Sequence, residues 1–425
     1  MQEIRTQRPN LFEPNDYITF YLELDGTVSA NALADAIRAA YNANQSTVSK
    51  IVLTSEGTAF YEKMTKSGCK IEFLKDDWKN VIKTNEKIPF ALEHGELIRS
   101  FILLGGNKTS LLIMAHHLAG DGKAMIYFIE SIMTALSGAE LEYRPLSMLS
   151  PETIPPSGRY TLVAKLYTKF CQRKYAKNPF AFSWKDYYRV HERYWKATSS
   201  CVLYKEFSKE DTDLIIESAR QMGVSVNSYI VAAFLQTDSR NRVVGIPLSV
   251  RENENKSMAN LTSGISITHS FDKNISFEGN AKQIQKKVSK MIKTYRWFVL
   301  RFLSEMPPSF IDGALLYTYH CCENPLMGQF AKIMGYIGDS NKRDLGITNL
   351  TVLDIPACYS TIRIKKIVFV PPNVSYSNNI IGVSTFQGEM TVTYHGTEEN
   401  SGEQKDFFDS GVRNLLSNIT IKIQK

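Results

Sequence analysis

The sequence predicts an α/β protein, an α+β sandwich built as two units, and three observations carry that reading. Each half of the chain opens with a strand that feeds an amphipathic helix and later presents more strands. A Pro- and Ser-rich stretch of weak periodicity separates the halves. With 425 residues, 43% of them hydrophobic, the chain also exceeds what one core usually organises. The expected division is 1–145, a crossing at 146–198, and 199–425.

The elements follow in order. "YITFYLELDG" (17–26) is β-rich and ends in a turn at Asp25 and Gly26. "VSANALADAIRAAY" then reads as a helix, with Ser29 as N-cap and Leu33, Ile37 and Tyr41 on one face. "LIRSFILLGG" and "TSLLIMAH" form a strand pair through a turn at 105–108. The second strand ends at two histidines, and after Gly122 "KAMIYFIESIMTAL" places Ile126, Ile129, Ile132, Met133 and Leu136 at helical spacing. The stretch "HHLAGDG" (116–122) therefore lies on a strand-to-helix turn. In the crossing one helix is expected at 161–174, whereas "FAFSWKDYYRVHERYW" is aromatic without a clean period.

The second half begins with the strand "CVLYKEF" and the helix "SKEDTDLIIESARQMG", which Ser208 can cap, Asp211 can partly box and Gly223 can stop. "NSYIVAAFLQT" follows as a helix and "NRVVGIPLSVR" as a strand. A long helix, "KQIQKKVSKMIKTYRWFVLR", is expected to bury Ile284, Val288, Met291, Ile292 and Tyr295. Its outward residues would be Lys282, Lys286, Lys287, Lys290, Lys293 and Arg296. A solvated face is the plainer reading of that stripe; docking of an acidic carrier protein or of a cofactor phosphate is the sharper one. No residue-level repeat links the halves.

Bulk properties exclude several classes. The N-terminus lacks the apolar stretch of a signal peptide, and no run of eighteen apolar residues occurs, so a cytoplasmic chain without a membrane span is expected. The six cysteines are scattered without metal spacing, and no zinc or other metal site is expected. A net charge of +7 suits anionic ligands such as coenzyme A phosphates, but no concentrated basic stripe points to nucleic acid. Neither a phosphate-binding P-loop nor a nicotinamide glycine fingerprint is present, and the absence of a G-x-S-x-G elbow disfavours a serine hydrolase. His94, His191, His269, His320 and His395 are isolated and read as surface or satisfied core residues.

"HHLAGDG" resembles the HHxxxDG motif of the condensation-domain and CoA-dependent acyltransferase superfamily. The resemblance extends to "IPFALEHGELIRSFIL" (88–103), "GVSVNSYIVAAF" (223–234), "GIPLSVR" (245–251), "LGITNLTVLDIP" (345–356) and "IIGVSTFQGEMTVTYHG" (380–396). It implies two chloramphenicol-acetyltransferase-like domains forming a V-shaped pseudo-dimer with a tunnel between them. It also implies roles: His117 as general base, His116 as structural support, and Asp121 as a structural residue paired with an arginine, for which Arg251 is the candidate. Gly122 would leave room for a pantetheine arm. A neutral imidazole near pH 7 suits the base role, since it can take a proton from an alcohol or amine attacking a thioester. Thr348 and Asn349 are candidates for the oxyanion or tunnel wall, although an Asn in such a turn is more often a local turn-former.

The plant-branch Asp-Phe-Gly-Trp-Gly signature is missing, which leaves the bacterial alcohol acetyltransferase-like and free-standing condensation-like subgroups. Ala259 and Asn260 stand where many relatives have Gly-Asn. The expected partners are an acyl thioester, acyl-CoA or an acyl carrier protein, as co-substrate, and a small hydroxyl or amine acceptor. No permanently bound cofactor is expected, and a monomer is. The rivals are a condensation-type enzyme using carrier-bound substrates and a non-catalytic ligand-binding module of the same fold.

Overall fold

The computed structural model describes residues 1–26, 28–105, 108–155, 160–252, 255–338, 342–377, 379–397 and 401–419. Two six-stranded sheets dominate it. The first has the order Cys358–Tyr359, Ile362–Val370, Tyr17–Asp25, Lys108–His116, Ile98–Gly105, Lys70–Leu74. The second runs Thr262–His269, Arg242–Ser249, Leu345–Val352, Ile380–Phe386, Glu389–Thr397, Ser200–Glu206. A small sheet of Gln2–Glu3, Ala59–Lys63 and Ser49–Leu53 flanks the first.

Each large sheet carries helices drawn from its own run of sequence. In the first half Ala30–Ala43 packs against Gly122–Leu136, burying Leu33, Ile37 and Tyr41 from one and Ile126, Ile129, Ile132 and Met133 from the other. The strand Lys108–His116 is buried on both faces from Leu111 to Ala115, which is why it reads as a continuous apolar run. Its pairing with Ile98–Gly105 closes at Gly105 and Lys108, while residues 106 and 107 of the expected turn lie outside the described residues. In the second half Ser208 accepts from Asp211 N–H at 3.1 Å, and Gly223 ends that helix at a φ of 69°. The long helix spans Phe277–Tyr295 and buries Ile284 and Val288 fully, with Met291, Ile292 and Tyr295 half-buried. Lys287 turns back to donate to the Thr268 carbonyl at 2.8 Å; the other four lysines and Arg296 face solvent.

Two features depart from the sequence reading. The aromatic stretch is a helix, Trp184–Ala197, started by a capping box in which Asp186 accepts from Ser183 N–H at 2.9 Å. Its buried face is Tyr187, Val190, His191 and Tyr194, a helical stripe whose polar tips hide the period. Those tips are satisfied: Tyr187 OH donates to the Phe90 carbonyl, and His191 Nε2 meets Tyr17 OH at 2.8 Å. The helix Leu162–Lys177 lies where one was expected.

The other departure concerns the halves. Strand Ile362–Val370 comes from the second half yet pairs antiparallel with Tyr17–Asp25 in the first sheet. Three further helices, Phe298–Glu305, Pro308–Thr318 and Pro325–Met334, pack into the first core as well. The buried Arg8–Asp312 ion pair pins the N-terminal segment to the second of them, with Arg8 Nε 2.7 Å from the carboxylate. The two sheets are thus laced together by chain exchange.

Candidate active site

The "HHLAGDG" turn is held from several directions. His116 N–H donates to the Leu97 carbonyl at 2.9 Å and His117 N–H to the Asp16 carbonyl at 3.0 Å. Tyr61 OH donates to the Leu118 carbonyl at 2.6 Å. Gly120 is required by packing, because a Cβ there would lie 2.6 Å from the Cβ of Ala124. The turn then enters helix Gly122–Leu136, where Asp121 accepts from Ala124 N–H at 2.8 Å as N-cap.

The two histidines differ in surroundings. His116 is fully buried against Tyr17 and Phe90, and its Nδ1 accepts from Leu118 N–H at 3.2 Å. Burial, with the charge of His117 adding to it, pushes its pKa down to about 3, so it stays neutral. His117 is partly exposed and opens into a cavity of about 430 Å³. Burial lowers its pKa below the ordinary value, against the opposing charge of Asp121. It too is neutral at pH 7 and can accept a proton.

The cavity lies between residues of both halves. Ile18, His117 and Gly122 line it from the first; Asn260, Thr348 and Asn349 line it from the second. Its size suits a small molecule or the arm of a larger one. Asn260 comes closest to the chemistry, with its Nδ2 2.9 Å from His117 Nδ1. Thr262 N–H donates to Asn260 Oδ1 at 3.2 Å, which keeps the NH2 end toward the imidazole. In this orientation Nδ1 accepts and the neutral ring carries its proton on Nε2; a turned amide would accept from Nδ1–H and free Nε2. Only the second arrangement leaves a ring nitrogen free to act as base.

Asp121 and Arg251 meet directly. Arg251 Nη2 lies 3.0 Å from Oδ1 and 3.1 Å from Oδ2 of Asp121, with the side chains 2% and 5% exposed. The carboxylate also accepts from Leu261 N–H at 2.8 Å. Arg251 donates onward to the carbonyls of Asn255, Ser257 and Ala259. This pair therefore ties the "HHLAGDG" turn of one half to the 255–262 loop of the other. Ala259 stands there without strain, lending its carbonyl to Arg251.

Gly122 borders the cavity, but the space beside it is filled: a Cβ would lie 2.6 Å from Leu350 Cδ2. Leu350 from the other half therefore packs directly on Gly122 across the seam. Asn349 Oδ1 accepts from Thr351 N–H at 2.7 Å, a local turn bond, and its Nδ2 has no partner among the described residues. Thr348 lines the cavity beside it. Sequence reasoning missed Asp16, Asn260 as a partner of the base, and Arg343, all of which border the cavity. The nearest signal was the Asn of the "SMANLTSG" loop. No cluster of three or more metal-ligating side chains occurs among the described residues, and none of their helices is long and apolar enough to cross a membrane.

Two sheet-and-helix halves around a shared cavity make a fold that solved condensation domains and an acetyltransferase share. The chain is similar along 98% of its length to the TRI3 trichothecene 15-O-acetyltransferase from Fusarium sporotrichioides, with TM-score 0.66, 11% identity and 94% of that chain covered. It is similar also to the first condensation domain of the CDA synthetase (TM-score 0.62, 13% identity, 98% of this chain and 94% of that one). A third is polyketide synthase associated protein 5 from Mycobacterium tuberculosis (TM-score 0.61, 12% identity, 99% and 98%). No family model matches the chain, and no curated protein matches it in sequence.

Proposed function

We propose that this protein is an acyltransferase that moves an acyl group from a thioester, preferably acyl-CoA, to a hydroxyl or amine acceptor. The observation that carries the reading is a neutral His117 opening into the shared cavity, with its loop locked by Asp121 and Arg251. With the ring proton on Nδ1, accepted by a turned Asn260 amide, Nε2 of His117 takes the acceptor proton as the acceptor's oxygen or nitrogen attacks the thioester carbonyl. The tetrahedral adduct then collapses, the C–S bond breaks, and the imidazolium returns its proton to the departing thiolate. No covalent enzyme intermediate is invoked, since no nucleophile is paired with the base. Thr348 and the free Nδ2 of Asn349 are the proposed donors to the oxyanion. Asp121 and Arg251 hold geometry rather than carry protons, and the pantetheine arm would pass Gly122 by displacing Leu350. Both halves that build the cavity belong to one chain, so a cytoplasmic monomer suffices.

The likeness to a condensation domain supports a second donor for the same chemistry, an acyl group on a carrier protein. The four solvent-facing lysines of helix Phe277–Tyr295 offer charge for such a partner. The test is thiol release from a panel of acyl-CoAs with pooled alcohols and amines, comparing wild type with His117→Ala. Acceptor-dependent release that vanishes in a normally folded variant supports the transferase. Release that survives the substitution refutes the role of His117. Release seen only with acyl carrier protein replaces the CoA donor.

A further inference from the structure

We propose that Arg343 is an anion-binding handle in the cavity, selecting a substrate that carries a carboxylate or phosphate. This rests on the reading of the cavity as the substrate site. Arg343 lines the same cavity as His117, on the wall formed by the second sheet. Its side chain is seated by three features. Nε donates to Ser266 Oγ at 3.1 Å, the guanidinium lies 4.8 Å from the ring centre of Tyr376, and Gly245 leaves a notch where a Cβ would stand 2.8 Å from Nε. The main chain is fixed as well, with Arg343 N–H donating to the Tyr376 carbonyl at 3.0 Å.

What the seat leaves free is the recognising end. Nη1 and Nη2 have no partner among the described residues, although the residue is mostly covered. A guanidinium held by its stem and stacked on an aromatic face presents a fixed fork of donors, which matches the oxygens of a carboxylate or phosphate. Nearby acids do not fill that place. Asp344 accepts from Val243 N–H at 2.7 Å, and Glu13 accepts from Ser375 N–H at 3.3 Å as well as from its hydroxyl. Asp16 borders the cavity near Tyr376 but forms no ion pair with Arg343; burial, reinforced by the charge of Glu13, holds its carboxyl well above the ordinary range. Asp121, the other acid of the lining, is taken up by Arg251, and Lys123 adds a second positive charge near the helix start, so the cavity presents a seated guanidinium with no acid paired to it among the described residues. The anion has two possible sources, a carboxylate on the acceptor or acyl group and a phosphate on the CoA arm.

The experiment compares wild type, Arg343→Gln and Arg343→Lys with two matched pairs of substrates: hydroxy acids against their methyl esters, and acyl-CoA against acyl-pantetheine. Melting curves first establish that the variants fold. Loss of a charged hydrogen-bonded contact predicts that one preference, acid over ester or CoA over pantetheine, falls about ten- to a hundredfold in Arg343→Gln. Arg343→Lys should recover part of it. The pair that collapses identifies the source of the anion. If both preferences equal those of wild type, the proposal is overturned. Calorimetric titration with the hydroxy acids and CoA, without turnover, separates this from the transferase reading. Binding lost in Arg343→Gln but kept in His117→Ala supports the handle even if no catalysis is found, whereas equal binding to wild type and Arg343→Gln, or none to wild type, overturns it.

Discussion

Asp121→Asn isolates the charge of the seam pair while keeping size and cap. The new carboxamide oxygen can still accept from Ala124 N–H, so the helix start survives. Its NH2 group, however, must face either Leu261 N–H or Arg251 Nη2, and both are donors. Arg251 stays buried at 2% side-chain exposure, with three carbonyls but no counter-charge. Removing one partner of a buried pair costs about 3–5 kcal/mol. If a sheet-and-helix half of roughly 200 residues melts as a unit, each kcal/mol is worth about 2–4 °C, so the melting temperature should fall by roughly 6–20 °C. Thermal melting by circular dichroism measures this directly. The acid limb of thiol release should also move to lower pH, because Asp121 is the charge that raises the His117 pKa. In a double-mutant cycle with Arg251→Met the two losses should not add, with a coupling of about 0.5–3 kcal/mol. A melting temperature within a degree or two of wild type, together with additive losses, would refute the account of this pair.

Two further predictions concern pH. His117 lies below the ordinary imidazole value of 6.5 because burial outweighs Asp121, so the acid limb of kcat/KM should have its half-maximal point below 6.5; Asn260→Ala, which frees the ring, should shift that limb and lower kcat, and a wild-type limb above 6.5 would exclude His117 as the base. The contribution of Glu13 to stability should decrease as pH rises. Burial pushes Glu13 up to about 7 against its bonds from Ser375, so the folded state holds a proton that the unfolded chain loses near 4.5. That stabilisation is complete below 4.5 and disappears as pH climbs to 7, about 3 kcal/mol in all. His395 extends the same trend: burial would lower it, but the hydrogen bond and charge of Glu86 raise it above 6.5, and its share is lost as pH passes that raised value. His116 and His191, both pushed down to about 3 by burial, act in the opposite direction below pH 6.5, so the sign is read by comparison: the melting temperature of wild type relative to Glu13→Gln should fall from pH 5 to 8, and a difference that does not change with pH would remove Glu13 as a cause.

What was legible in the sequence is what short-range order encodes. The strand-to-helix turn under "HHLAGDG", the caps at Ser208 and Gly223, and the apolar faces of most helices follow from periods of two and 3.6. Arg251, 130 residues from Asp121, was reachable only because a strand ending in Arg resembles one in the family. Other features depend on which surfaces meet. "IRIKKIVFV" announces a strand, but nothing in it says that the strand leaves its own half to pair with Tyr17–Asp25. Arg343 reads as one more surface charge until Gly245, Ser266 and Tyr376 are seen to seat it.

The same separation explains why the site is on the seam. The first half supplies His117 and the Asp121 that steadies its loop, but among its described residues no side chain bonds Nδ1 of His117. That contact comes from Asn260, carried on the loop that Arg251 braces through the carbonyls of Asn255, Ser257 and Ala259. The ion pair therefore does more than join two halves: through the short stretch 257–262 it places the residue that decides which ring nitrogen bears the proton. A substitution at Arg251 should consequently disturb the protonation of His117 without touching it, and the local sequence around either residue contains no trace of that dependence.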